Sequence, residues 1–263
     1  MTVPEALTHP RLRAYPLRRM RLPTAAGTLS LVVPDSGAWL RSAAGAARAG
    51  SVRPELGDEP PYWADVWPAS VAIARWLCRR RDLAGTRLLD LGCGVGVPGA
   101  AAAMVGAQVT VADREPDALA FAEFNGRARP ERPEFPAARA VPLDWSRETL
   151  AGCFDVICLA DVTYRPAHHL PIRRHLAQCL AADGLLVHAD PFRRESDGFL
   201  QRLLDDYAGR QMEVSTHWAS KRLPVRLTFA ARHEADLERW LETGPVRDRL
   251  ESGAIVEEVQ SPR

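Results

Sequence analysis

The chain is expected to form a doubly wound α/β fold around a mostly parallel sheet, and three features of its sequence predict this. From Arg87 onward, short apolar runs alternate with helical runs, the pattern of strands covered on both faces by intervening helices. Leu88 to Val97 reads Leu-Leu-Asp-Leu-Gly-Cys-Gly-Val-Gly-Val, a strand that breaks into glycines at alternate positions and enters a helix at Pro98. Ala107 to Asp113 is a second strand that ends in a carboxylate. At 263 residues and 46% hydrophobic composition, the chain can bury one sizeable core and little else.

The elements follow in order. Residues 17–33 alternate around Thr24 to Thr28, which predicts a β-hairpin closed by a glycine-containing loop. Ser36 is placed to cap a short alanine-rich helix through about Arg48, and residues 50–61, rich in Pro, Gly and acid, read as a linker. The expected division is therefore an N-terminal arm, residues 1–60, and a main domain, residues 61–263. Pro68 takes the favoured first-turn position of a helix through Cys78, with Arg79, Arg80 and Arg81 suited to its C-terminus. Strands are expected at 87–91, 107–112, 137–141, 154–160 and 184–190, and helices at 98–105, 115–128, 168–181 and 195–208. The closing strands, 212–217 and 225–232, are joined by a segment too short for a parallel crossover, so they should pair antiparallel. A last helix is expected over 233–243.

Bulk properties exclude several classes. A net charge of +1 gives no field to draw in nucleic acid or a membrane surface. Five cysteines without a Cys-x-x-Cys pair argue against disulfides and zinc, and no metal site is expected. With no signal-peptide pattern or long apolar run, the expected setting is cytoplasmic, as a monomer or weak dimer. Arginines at 11, 13, 18, 19 and 21 share the composition of a transit peptide, but the alternating apolar residues beside them favour an ordered arm.

The glycine turn should admit a small, partly anionic ligand, because glycines bring a ligand against the main chain and free N–H groups open the next helix. Its spacing departs from the dinucleotide fingerprint, Gly-x-Gly-x-x-Gly, since the third glycine comes one residue early. That spacing, and the absence of a Tyr-x-x-x-Lys pair, disfavour a nicotinamide oxidoreductase. Asp90-x-Gly92-x-Gly94-x-Gly96 resembles motif I of the class I S-adenosylmethionine-dependent methyltransferases. Asp113, ending the second strand, is placed to accept hydrogen bonds from both ribose hydroxyls, or else to cap the helix that follows. The likeness to class I enzymes implies a seven-stranded Rossmann-like sheet of order 3-2-1-4-5-7-6 with the last strand antiparallel.

Ligands of such sheets bind beyond the carboxyl ends of the strands where the order reverses, here the first and fourth. Asp161 follows the buried run Phe154 to Ala160 and should emerge at that mouth, unless it serves as a turn residue ahead of Pro166. Asp144 and Trp145 set a carboxylate beside an indole, fit for an adenine amino group and ring, although Trp145 reads equally well as core. Pro61 to Ser70, with Tyr62, Trp63 and Trp67, is either a lid or an apolar anchor for the arm. Cys93 should pack beneath the ligand, and His168 and His169 are expected on the solvated surface.

Val66-Trp67-Pro68-Ala69, the Asp90 to Gly96 turn, Leu143-Asp144-Trp145 and Asp161-Val162-Thr163-Tyr164 together resemble methyltransferase family 16, a group of protein lysine methyltransferases. The likeness spans roughly residues 61–190. It implies that Trp67, Asp90, Gly92, Gly94, Gly96, Asp113, Asp144 and Trp145 serve the cofactor, S-adenosyl-L-methionine, and that Asp161 and Tyr164 face the acceptor. The implied acceptor is a lysine of a protein substrate. The unmatched arm keeps a small-molecule N- or O-methyl acceptor open.

Overall fold

The computed structural model describes residues 6–35, 37–38, 62–80, 82–127, 134–218 and 221–242. Two strands, β1 (Leu17–Thr24) and β2 (Gly27–Pro34), form an antiparallel hairpin. The main sheet contains β3 (Arg87–Leu91), β4 (Gln108–Asp113), β5 (Arg139–Pro142), β6 (Phe154–Ala160), β7 (Leu180–Asp190), β8 (Ala208–Trp218) and β9 (Lys221–Ala231). Its order is β5-β4-β3-β6-β7-β9-β8. Counted from β3 as the first strand, this is the expected 3-2-1-4-5-7-6. Only β9 runs against its neighbours, pairing antiparallel with both β7 and β8.

The helices are α1 (Pro68–Leu77), α2 (Val97–Met104), α3 (Pro116–Asn125), α4 (Pro166–Cys179), α5 (Arg194–Asp206) and α6 (Glu234–Glu242). Because successive strand residues face opposite sides, each strand feeds two cores. Leu88, Val109, Val111, Val156, Val187 and Phe229 face α1 to α3, α6 and the hairpin. Leu89, Leu91, Ile157, Leu159 and Leu186 face α4 and α5 through Ile172, Leu176, Phe199 and Leu203. Among the described residues no helix is long and apolar enough to cross a membrane.

Several boundaries differ from expectation, and the main shifts have identifiable reasons. β7 begins at Leu180 rather than at residue 184, because Leu180 pairs with Phe154 before a register shift. β8 and β9 extend to Trp218 and from Lys221, since the two strands pair antiparallel along their whole length and need no apolar alternation to do so. The hairpin turns over two residues, Thr24 pairing with Gly27. The helix expected from Ser36 to about Arg48 and the 60/61 boundary lie outside the described residues, apart from positions 37 and 38.

The hairpin is no loose appendage. Met20, Leu22, Leu29, Leu31, Val32 and Val33 are buried in the same core as α1 and α2. An isolated two-stranded ribbon is marginal in water, so this docking is what stabilises it. Asn125, at the end of α3 and fully buried, makes the connection specific. Its Oδ1 accepts the Val32 N–H (2.9 Å), and its Nδ2 donates to the Val32 carbonyl (3.0 Å) and to the Val95 carbonyl of the glycine turn (2.9 Å). One carboxamide thus acts as a neighbouring strand for β2 and as a peg for the turn. Asn125→Leu leaves three buried main-chain groups unpaired and should cost roughly 3 kcal/mol or more, at about 1–3 kcal/mol per orphaned group. Urea unfolding of the two proteins checks this, and an equal midpoint would refute the clamp.

Candidate active site

A cleft of about 360 Å³ opens at the carboxyl ends of β3, β4 and β6, a size usual for a small-molecule site. Trp67, Gly92, Gly94, Asp113, Asp144, Trp145, Asp161 and Tyr164 all line it, together with Tyr62, Trp63, Cys93, Arg165 and His168. β3 and β6 are adjacent and parallel, so the cleft lies at the reversal of strand order.

The glycine turn forms the floor. Gly92 has φ +72°, and a Cβ there would stand 2.7 Å from Val162 Cγ1 and 3.0 Å from the Trp145 ring, so a side chain is excluded by both backbone and space. Gly92 and Cys93 donate their N–H groups to the Ala112 carbonyl, and Gly94 donates to Asp113 Oδ2 at 2.9 Å. Asp113 Oδ1 accepts the Glu115 N–H at 3.0 Å. Asp113 therefore ties the turn to the end of β4. Burial raises its carboxyl above the usual range, while the two N–H donors oppose that rise.

Two of the expected site residues stand behind this floor. Gly96, with φ +76°, packs so close to α3 that a Cβ would meet Ala122 at 2.6 Å, and it does not line the cleft. Asp90 is fully buried and its Oδ2 accepts the Gly99 N–H from the first turn of α2 at 2.9 Å. The helix start therefore offers a ligand fewer N–H groups than expected, with Val97 its cleft-lining residue. Pro98 has no N–H, and that of Gly99 is taken by Asp90 from beneath.

Burial pushes the Asp90 carboxyl up to about 8, against the Gly99 hydrogen bond and with help from nearby Asp113. The unfolded chain ionises this group near pH 4, so the folded state loses stability as pH rises from there toward 8. His188, pulled down to about 4 chiefly by burial, has the opposite sign and adds stability as pH rises from 4 to about 6.5. The two oppose each other below pH 6.5, and above it Asp90 acts alone. Asp90→Asn, which keeps an acceptor for Gly99, should remove a decline of about 2 kcal/mol between pH 6.5 and 8, at about 1.4 kcal/mol per unit. Urea unfolding at both pH values checks this; parallel declines in the two proteins would contradict it.

The walls are aromatic. Trp145 meets the His168 ring edge-on (5.4 Å between centroids), and Asp144 accepts the Ser146 N–H in the turn that presents that indole. Trp67 precedes α1 and donates its indole N–H to the Tyr62 carbonyl (2.9 Å). Tyr62 lies 6.1 Å from Trp67 and 6.0 Å from Tyr164. Trp63 anchors the arm at the edge of the cleft. It lines the cleft, and its ring also packs on Phe121 and on Tyr15 of the arm, whose hydroxyl bonds Asp117.

Asp161 directly follows β6 in a left-handed conformation, φ +56°, with its N–H bonded to the Ala189 carbonyl. Such backbone is uncommon outside glycine and clusters at functional sites. The side chain is 2% exposed and both oxygens accept from Arg193, Nε at 2.6 Å and Nη2 at 2.8 Å. Burial raises the Asp161 carboxyl and the guanidinium opposes that rise. Arg193 lies in the loop after β7 and escaped the reading of the sequence. Its place at the carboxyl end of the strand next to β6 was the signal available. Behind the loop, Thr163 Oγ1 bonds both His188 Nε2 and Ser196 Oγ at 2.8 Å, and the Thr163 carbonyl bonds His169 Nε2 at 2.9 Å. His169 is thus a buried brace and His168 part of the wall, not the solvated surface expected of both. Cys93 is buried in the floor, where burial pushes its thiol well above the usual range.

Comparison with known proteins identifies this arrangement. A family described as "Lysine methyltransferase" matches residues 62–206. The chain is 31% identical over 178 residues to protein N-lysine methyltransferase METTL21A of Danio rerio, covering 66% of this chain and 79% of that one. It is 31% identical over 163 residues to the electron transfer flavoprotein beta subunit lysine methyltransferase of the same species, covering 59% and 60%. It is also 30% identical over 172 residues to the ubiquinone biosynthesis O-methyltransferase of Bordetella parapertussis, covering 63% and 69%. The glycine floor, closed to any Cβ, and the carboxylate beyond it suit the S-adenosylmethionine that such enzymes use. The chain belongs to the lysine methyltransferase family and is an S-adenosylmethionine-dependent methyltransferase.

Proposed function

We propose that the protein methylates the side-chain amine of a lysine on a protein substrate. The observation that carries this reading is a buried carboxylate, Asp161, beside the rings of Trp67 and Tyr164 at the mouth of the cleft, an environment made for an organic cation. Bound S-adenosylmethionine supplies a sulfonium-activated methyl group. The task of the chain is to align the acceptor nitrogen with it and keep water out. In this reading Gly92 and Gly94 admit the cofactor, Asp113 holds its ribose, and Asp144 and Trp145 hold its adenine. Trp67 covers the methionine end, while Asp90 and Gly96 fix the turn from behind. Asp161 orients the incoming ammonium, and Tyr164 walls the channel. A free lysine amine is mostly charged at pH 7, with a pKa near 10.4, so the acceptor must lose a proton before attack. Solvent at the cleft mouth can take it.

A small-molecule acceptor has one observation in its favour, the comparable identity to an O-methyltransferase. A hydroxyl acceptor carries no positive charge, however, and would gain little from a carboxylate flanked by aromatic faces. The near-neutral chain charge further supports a protein partner over nucleic acid. A cytoplasmic setting and a monomer or weak dimer belong to the same reading. Residues 1–60 serve in this reading as an arm that braces the cofactor lid through Tyr15 and Trp63. Incubating the purified protein with heavy-methyl S-adenosylmethionine and a cell extract, followed by mass spectrometry, tests the reading. Label on lysine residues of proteins is expected. Label confined to small molecules would overturn it.

A further inference from the structure

Arg193 sits where the acceptor's charge would have to go. Its two nitrogens saturate both oxygens of Asp161, and its guanidinium carbon lies 5.8 Å from the ring centre of Trp67 and 5.8 Å from that of Tyr164. Carboxylate in front and aromatic faces beside it are the surroundings a lysine ammonium requires, and here another side chain fills them. The Arg193 side chain is 33% exposed while that of Asp161 is 2% exposed, so the guanidinium stands between the carboxylate and solvent. An ammonium cannot pair with Asp161 unless Arg193 yields.

The loop is built so that the side chain can leave without the backbone. The Arg193 N–H donates to Asp190 Oδ2 at 2.7 Å, and Asp190 is itself held by Arg226 through bonds of 2.9 and 3.1 Å. Those contacts fix the main chain and place no demand on the guanidinium. Glu195, two residues on and exposed, is the carboxylate nearest in sequence to receive it in solvent. Phe192, immediately before Arg193, adopts φ +56°, as does Asp161 across the pair, so the ion pair spans two backbone positions under strain.

We propose that Arg193 is a specificity-determining residue that occupies the acceptor's cation subsite in the resting enzyme and is exchanged for the incoming lysine ammonium. The inference rests on the lysine reading above and deepens it. A bidentate, charge-assisted pair is among the stronger side-chain contacts, and a free small amine has no other contact with which to offset its loss. A lysine carried on a protein brings the rest of its interface to the exchange. The arginine thereby makes the enzyme refuse free amines and accept presented ones.

The test uses the whole chain loaded with S-adenosylhomocysteine, wild type and Arg193→Ala, with two probes: ethylguanidinium, which restores the atoms deleted beyond Cβ, and n-butylammonium, which copies the lysine side chain. By calorimetry, Arg193→Ala should bind both cations at least about tenfold more tightly than wild type, and adding Asp161→Asn should abolish the gain. Turnover of n-butylamine should rise about as much in the single variant. Arg193→Gln keeps an amide donor for Asp161 and serves where the alanine protein does not fold, with an expected gain of about threefold. If either variant binds S-adenosylhomocysteine as wild type does but takes up neither cation better, the exchange is overturned and Arg193 is a fixed counter-ion. Labelling of extract proteins by the wild type reports on the lysine reading separately. Its absence together with gained cation binding would remove the substrate assignment and leave the cation subsite standing.

Discussion

Asp161→Ala is expected to lower kcat for lysine methylation by about 10² or more while the Kd for S-adenosylmethionine stays within about twofold, the range seen when one charged group that positions a reactant is removed. In the proposed reading the carboxylate is the buried partner for a cation at the acceptor end; its hydrogen bonds run to Arg193, while the residue's main-chain N–H bonds the Ala189 carbonyl of β7. Its loss leaves Arg193 without its partner. That side chain is partly exposed and can turn to solvent, so the floor of the cleft is left undisturbed. Single-turnover kinetics with calorimetry on S-adenosylhomocysteine separates the two effects. Loss of cofactor affinity with an unchanged transfer rate would move Asp161 from the acceptor to the cofactor.

Asp113→Ala should do the reverse. It removes the acceptor of both the Gly94 and the Glu115 N–H groups, which hold the turn closed over the end of β4. Hydrogen bonds to a charged group are each worth about 1.5–3 kcal/mol, so the loosened turn alone should raise the Kd for S-adenosylmethionine about 10²-fold. Any bond to the ribose adds to that. At saturating cofactor kcat should fall by no more than about threefold, because the acceptor end is untouched. Asp113→Asn retains an acceptor oxygen for one of the two donors and should fall between. Equal cofactor affinity in the wild-type and alanine proteins would refute the role.

The alternation of strands and helices in the main sheet was legible because it follows from local facts: each strand is an apolar run of limited length, and each crossover between parallel strands is long enough for a helix. The order of those strands came from the resemblance to class I methyltransferases. Strand ends were less legible. Leu180 joins a strand rather than a helix because Phe154 lies opposite it, and no local pattern encodes a partner twenty-six positions away in sequence. The same reason hid the brace behind the acceptor loop. His169 looks like a surface histidine on an N-terminal helical turn, and only the approach of the Thr163 carbonyl and the Phe199 ring makes it interior.

The residue order was enough to specify the glycine floor, the carboxylates at the ends of the first, second and fourth strands of the main sheet, and the aromatic patch before α1. Each depends on main-chain conformation and on which residue ends which element. Only the folded arrangement settled what those carboxylates touch: Asp90 turned away to hold α2, Asp113 tying the turn to the end of β4, and Asp161 paired with an arginine from the neighbouring strand's loop. A carboxylate's partner is chosen by distances of a few ångströms between segments far apart in the chain, because charge pairing falls off steeply in strength once water can intervene.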